Sequence, residues 1–171
     1  MDHIWSPWRY KYLTAPRSPS PSESSCVFCR IAAETNLDDP NLVVARGQHN
    51  FIVLNRFPYT SGHLMVVPYS HQSQLAALSA EAATEMILMA HAAEHHLRTV
   101  YRPEGLNLGM NIGESAGAGI AGHIHMHVLP RWSGDTNFMT TVAETRVLPE
   151  ELSVTLTRLR AAFNAKEPST S

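Results

Sequence analysis

The chain has 171 residues, 44% apolar and 16% charged, with a formal net charge of −2 when its ten histidines are counted neutral. That length suits one domain with a real core, and this charge balance gives no broad basic face for nucleic acid. No apolar run approaches the ~18 residues of a membrane span, and MDHIWSPWRY lacks the apolar stretch and small-residue cleavage site of a secretory signal, so a cytoplasmic protein with no membrane partner is expected.

Residues 1–13 form an aromatic and basic arm, with Trp5, Trp8, Arg9, Tyr10 and Tyr12. Residues 14–25, TAPRSPSPSESS, read as a flexible linker. So many aromatic rings are costly to leave in water, so the arm is expected to dock on the body or on a partner subunit. The body spans 26–165 and opens on Cys26 and Cys29, the chain's two cysteines. In a cytosolic protein a C-x-x-C pair points to metal binding or redox chemistry more than to a structural disulfide. Leu42–Arg46 and Phe51–Asn55 read as strands joined by a Gly47–Asn50 turn, a hairpin. Leu64–Pro68 is a short buried strand. Ser70 is placed to cap a short helix carrying Leu75 and Leu78, and Ser79 to cap a longer one. Along the longer helix Ala83, Met86, Ile87, Ala90, Ala93 and Leu97 recur on one face. Gly105–Ile112 reads as a strand, 113–122 as a glycine-rich loop and His123–Leu129 as another strand. Pro149 opens a last helix running to about Phe163, and the polar tail 166–171 is loose. The order predicts an α+β fold with a largely antiparallel sheet, a short and a long helix, and a C-terminal helix.

The run His123-Ile-His125-Met-His127-Val-Leu alternates strictly. In a strand, Ile124, Met126 and Val128 enter the core while the three histidines share the other face. One reading is a wet sheet face that carries histidines by chance; three at i, i+2 and i+4 beside a glycine-rich loop make that the weaker one. A single metal held by all three is excluded by reach, since His123 and His127 are about 13 Å apart along a strand and ligand bonds are only ~2.1 Å. Two neighbours could still share an ion. Catalysis is the third reading. A neighbouring group sets the tautomer of the middle imidazole and leaves its other nitrogen as a free lone pair, a nucleophile suited to phosphorus, while an adjacent histidine steadies phosphate oxygens or protonates the leaving group.

Gly117-Ala-Gly119-Ile-Ala-Gly122 matches G-x-G-x-x-G letter for letter, but it precedes the histidine strand rather than a helix, so it is not a dinucleotide fingerprint. No G-K-[ST] follows, which excludes a P-loop. Small residues still let backbone N–H groups approach phosphate oxygens.

These pieces together resemble the histidine-triad (HIT) family. The match comprises Asn55-Arg-Phe-Pro-Tyr-Thr-Ser-Gly-His-Leu-Met-Val-Val-Pro68, Asn111 with the glycine loop, and His123-Ile-His-Met-His-Val-Leu-Pro130. Trp5-Ser-Pro-Trp-Arg9, Asn-Leu-Gly-Met-Asn-Ile-Gly113 and Pro-Arg-Trp-Ser-Gly-Asp-Thr-Asn-Phe138 resemble the branch that cleaves diadenosine tetraphosphate by phosphorolysis. The resemblance implies a HIT-like fold and a catalytic His125 that takes the nucleotidyl group, with His127 contacting phosphate. It implies substrate contacts from Asn55 to ribose, from Asn111, Ala118 and Gly119 near the phosphates, and from Trp132 as a flanking aromatic. It also implies a nucleoside polyphosphate or mononucleotide ligand, inorganic phosphate or water as the second acceptor, and a homodimer or larger homo-oligomer.

Cys26-Val-Phe-Cys29 resembles the zinc-binding start of some family members, where the remaining ligands map onto His71 and His123. Two thiolates and two imidazoles fill a tetrahedral zinc, which makes such an ion structural. Related nucleotide-sugar transferases share that pattern but differ at the third triad position, and His127 sets this chain apart from them. A nucleoside phosphoramidase and a non-catalytic nucleotide sensor are the alternative functions; release of an amine, or the absence of any turnover, would mark each. His63 reads as a packing residue of the family pattern.

Overall fold

The computed structural model describes residues 26–135 and 150–165. The aromatic arm and linker, Pro149 and the tail lie outside them. Eight elements follow in chain order: α1 (Val27–Ala33), β1 (Val43–Arg46), β2 (Asn50–Leu54), β3 (Leu64–Pro68), α2 (Ala80–Tyr101), β4 (Gly105–Met110), β5 (Met126–Arg131) and α3 (Leu152–Asn164). The strands form one sheet in the order β1-β2-β3-β5-β4, with every neighbouring pair antiparallel. This is the expected α+β architecture.

The sheet is covered on both faces, which explains why every residue of β2 and β3 is buried. On one face Ile52, Leu54, Leu64, Val66 and Val128 pack against Met86, Ala90, Ala93 and Leu97 of α2 and Leu156 and Leu159 of α3. On the other, Val43, Phe51, Val53, Met65 and Val67 pack against Cys26, Phe28 and Ile31 of the α1 segment. Burying each such large side chain contributes about 1.5–3 kcal/mol, so the long helices hold one face and the short α1 completes the other.

Ser79 caps α2 as expected, its side chain accepting from the Ala82 N–H at 3.2 Å. The expected hairpin forms, and its turn is tied to α2 by Glu85, which accepts from the Gln48 and His49 N–H groups at 2.7 Å each and from Asn50 Nδ2 at 2.8 Å.

Four sequence expectations need correction. The buried face of α2 is Ala82, Met86, Ala90, Ala93 and Leu97; Ala83 is only partly covered and Ile87 is 59% exposed. Ser70 caps no helix, because the following turn is a 3-10 segment at Leu75–Ala77 preceded by Gln74. The last strand starts at Met126, not His123; before it the Ile124 N–H bonds the Gln72 carbonyl at 2.6 Å instead of continuing the ladder. The last helix starts at Leu152, after Glu151. Helix α1 was not anticipated from the sequence.

Candidate active site and metal centre

The three triad histidines occupy the sheet face that α1 covers; two of them are buried and His127 is half-buried. His123 is fully buried and His125 is 5% exposed. Phe28, in the first turn of α1, places its ring 5.4 Å from that of His123 and 5.0 Å from that of His125. Burial makes each ring nitrogen answerable to a partner, and the partners set the tautomers in turn.

His125 Nδ1 lies 2.9 Å from the His123 carbonyl oxygen. A carbonyl only accepts, so Nδ1 carries the proton and Nε2 holds the lone pair. Burial lowers the His125 pKa, with the bond to the His123 carbonyl opposing it. The ring is therefore neutral near pH 7, as a nucleophile must be.

His127 is ordered from the opposite side by His63. The Tyr59 N–H donates to His63 Nδ1 at 3.2 Å, so that nitrogen is an acceptor. His63 Nε2 then bears the proton and donates to His127 Nδ1 at 2.9 Å. His127 is left with its proton on Nε2. Burial and the neighbouring His125 push the His127 pKa down to about 4. The pair thus presents one lone pair and one N–H, both on uncharged rings 4.9 Å apart.

His125 and His127 open into a cleft of about 360 Å³, within the usual range of a small-molecule site. Asn55, Asn111, Gly117 and Gly119 also line it. The Asn55 Oδ1 accepts from the Phe57 N–H at 2.9 Å, which fixes its amide. Asn111 leans on the glycine loop through the Gly117 carbonyl at 3.4 Å. The loop needs glycine at 113 and 117, where φ is +84° and +90°. Of the two loop positions expected at phosphate, Ala118 is buried and turns its N–H back to the Gly113 carbonyl. Gly119 faces the cleft, and among the described residues none but its chain neighbours lies within 4 Å of where its Cβ would be. Trp132 is not among the lining residues; it follows β5, with its ring 6.4 Å from Tyr101. The sequence reading missed Phe28 and α1 altogether; His63 is packed in the core as expected, and beyond that its Nε2 bonds His127, which the sequence reading did not anticipate. The signal for His63 was its place directly after the Ser61-Gly62 turn and directly before β3, the strand paired with the histidine segment.

Beside the triad, Cys26, Cys29, His71 and His123 bring their ligand atoms within 4.8 Å of one another. The Cys29 Sγ is 3.2 Å from His71 Nδ1 and 3.5 Å from His123 Nδ1, and the Cys26 Sγ is 3.4 Å from His123 Nδ1. Tetrahedral zinc with bonds of ~2.3 Å to sulfur and ~2.05 Å to nitrogen needs sulfur–nitrogen edges of about 3.6 Å. The donor set fits zinc in kind, number and spacing. His123 Nε2 is 2.9 Å from the Pro68 carbonyl and so carries the proton, which turns the Nδ1 lone pair toward the two thiols. A zinc held here would have all four positions filled by protein, the arrangement of a structural site.

This site and fold belong to a recognisable class. The family model for the HIT domain matches residues 36–134, and the chain belongs to the HIT family. It is 40% identical to an AP-4-A phosphorylase of Mycobacterium tuberculosis over 170 residues, covering 98% of this chain and 87% of that one. Its fold is similar to a zinc-bound histidine triad family protein of Mycobacterium smegmatis, with TM-score 0.67, 29% identity, and coverage of 82% of this chain and 94% of that one. It also shares its fold with a diadenosine triphosphate hydrolase of Plasmodium falciparum, at TM-score 0.60 and 14% identity, covering 72% and 77%.

Two predictions follow from this geometry. The purified protein carries about one zinc per chain by elemental analysis, and Cys29→Ser lowers the melting temperature by roughly 4 °C or more, because α1 loses its anchor; an unchanged melting temperature would show that the metal holds nothing. His63→Ala lowers kcat by on the order of tenfold to a hundredfold with little change in KM, since it frees the His127 ring without touching the cleft wall; steady-state kinetics on a nucleotide substrate separates the two constants.

Proposed function

We propose that this HIT-family enzyme cleaves diadenosine tetraphosphate by nucleotidyl transfer through His125, with inorganic phosphate as the second acceptor. The observation that carries the reading is the neutral His125 with its proton on Nδ1, held by the His123 carbonyl at 2.9 Å. The 40% identity to an AP-4-A phosphorylase over nearly the whole chain supports the substrate class.

In the first step His125 Nε2 attacks an α-phosphorus. An Nε2–P bond forms and the bond from that phosphorus to the bridging oxygen breaks, releasing ATP. His127 Nε2–H hydrogen-bonds the departing oxygen, and Asn111 and the Gly119 backbone meet the phosphate oxygens. The negative polyphosphate favours protonation of the imidazole pair, opposing the burial that keeps both neutral in the free enzyme. In the second step a phosphate oxygen attacks the same phosphorus, the Nε2–P bond breaks and ADP leaves. Asn55 holds the ribose. Zinc, when bound, supplies cross-linking of α1 to the sheet; every step of bond-making falls to the protein's own side chains.

The enzyme works as a cytoplasmic homodimer or larger assembly. Two neighbouring cysteines not joined in a disulfide suit a reducing compartment. Among the described residues the outer strand β4 leaves one edge unpaired and exposes Leu108 and, just beyond it, Ile112, which supports self-association.

Incubation with diadenosine tetraphosphate tests the reaction directly. ADP and ATP are expected only when phosphate is present, and His125→Ala is expected to abolish both; AMP and ATP without phosphate would make water the acceptor, and no cleavage in either case would overturn the substrate assignment. Light scattering is expected to give a mass of at least two chains, and a monomer at working concentration would overturn the assembly.

A further inference from the structure

The sheet register sets the scale of the cleft. His127 of β5 faces Met65 of β3, Met65 faces Val53 of β2, and Val53 faces Val43 of β1. Three inter-strand spacings of ~4.8 Å place the catalytic end and the β1 end about 14 Å apart. That is the scale of a nucleoside monophosphate measured from phosphorus to the far edge of its base. Phosphate at His127 and a base lying over Val53 therefore bring the base edge to the segment just before β1.

Two residues of that segment, Asn41 and Leu42, line the cleft. Leu42 holds φ +62°, a left-handed conformation rare for a branched side chain. The turn around it is clamped. The Leu42 N–H bonds the Asp39 carbonyl at 3.1 Å and the Val43 N–H bonds the Asp38 carbonyl at 2.9 Å. Arg46 grips the Asp38 carboxylate at 2.6 Å, and Arg56 donates to the Pro40 carbonyl at 3.0 Å. Strain held this firmly at a cleft wall is a mark of a built recognition surface.

Asn41 is 6% exposed, and its Nδ2 donates to the Glu34 carboxylate at 2.9 Å. A carboxylate only accepts, so the amide cannot be reversed. Glu34 is itself held by Arg30 at 3.0 Å. The other end of the amide, Oδ1, takes no donor among the described residues. Asn41 thus offers the cleft a fixed acceptor at the β1 end, among the apolar side chains of Ile31, Leu42 and Val53, while the two arginines that also line the cleft, Arg30 and Arg56, are engaged by Glu34 and the Pro40 carbonyl.

We propose that Asn41, oriented by Glu34, reads the amino edge of the bound base and selects a 6-amino purine over a 6-oxo purine. The inference rests on the nucleotide reading above and adds the base to it. An exocyclic amine donates to Oδ1. A 6-oxo group sets acceptor against acceptor and leaves both without a partner, which a buried site disfavours strongly. Glu34 acts through Asn41 and touches no ligand itself.

Calorimetry with adenosine and inosine monophosphates compares the two edges, which differ by amine against carbonyl at C6 and by acceptor against N–H at N1. The wild-type protein is expected to bind the adenosine nucleotide about tenfold to a hundredfold more tightly. Asn41→Leu brings the two affinities within about twofold. Glu34→Lys replaces an acceptor by a donor, turns the Asn41 amide over and reverses the preference; because Glu34 is partly exposed, that variant also serves if Asn41→Leu fails to fold. Equal binding by the wild type, or a ratio unmoved in the folded variants, overturns the base-reading role. Binding of neither nucleotide by folded wild-type protein overturns the nucleotide reading instead.

Discussion

The whole site depends on His123, a residue with no chemistry of its own to perform. It is fully buried, and each of its polar faces is committed. Nδ1 meets the thiols of Cys26 and Cys29, Nε2 is tied to the Pro68 carbonyl, and its backbone carbonyl takes the Nδ1 proton of His125. The metal centre, the end of β3 and the nucleophile therefore share one residue. A shift of His123 in any direction changes the tautomer or the aim of His125, because a buried imidazole has no water to fall back on.

The same economy explains why histidine is used three times. A strand alternates faces, so residues two apart are near enough to couple but point at neighbouring targets. His123 faces the two thiols and the Pro68 carbonyl, His125 faces the cleft, and His127 faces both the cleft and His63. The chain Tyr59 N–H to His63 to His127 is the mirror of the chain His123 carbonyl to His125. One begins at a backbone donor and ends by leaving an N–H; the other begins at a backbone acceptor and ends by leaving a lone pair. Backbone groups cannot titrate, so the complementary pair of ring nitrogens is specified by the fold rather than by pH.

Much of this was legible from the letters. Alternation in 123–128 put the histidines on one face, and the hairpin, the Ser79 cap and the antiparallel sheet followed from period and turn chemistry. The errors have physical causes. Ala82 and Ala83 are equally small, so only the tertiary contact of Met86, Ala90, Ala93 and Leu97 decides which joins the stripe. The ladder could not start at His123 because the backbone there is diverted to Gln72 and the ring to the metal centre. Helix α1 has seven residues and no side-chain cap, so local propensity was silent; it forms because Phe28 and Ile31 find the sheet and because Arg46 holds the Ile31 carbonyl at 3.1 Å. His63 reads as core by burial and as machinery only when its partner His127 is known, which is a contact 64 residues away.

Helix α1 also joins the two ends of the cleft. Its first turn carries the metal-ligand cysteines and sets Phe28 against His125. Its last turn carries Ile31 and Arg30, and Arg30 holds the Glu34 that orients Asn41. One short element, too weak to fold alone, is thus held by the Cys26–Cys29–His71–His123 cluster at one end and by hydrogen bonds from Asn41 to Glu34 and from Arg46 to the Ile31 carbonyl at the other. The distance between chemistry and recognition is then set by a rigid helix on one side and by the spacing of four hydrogen-bonded strands on the other. A nucleotide of the wrong length or edge meets fixed groups at both ends, and selectivity arises without a moving part.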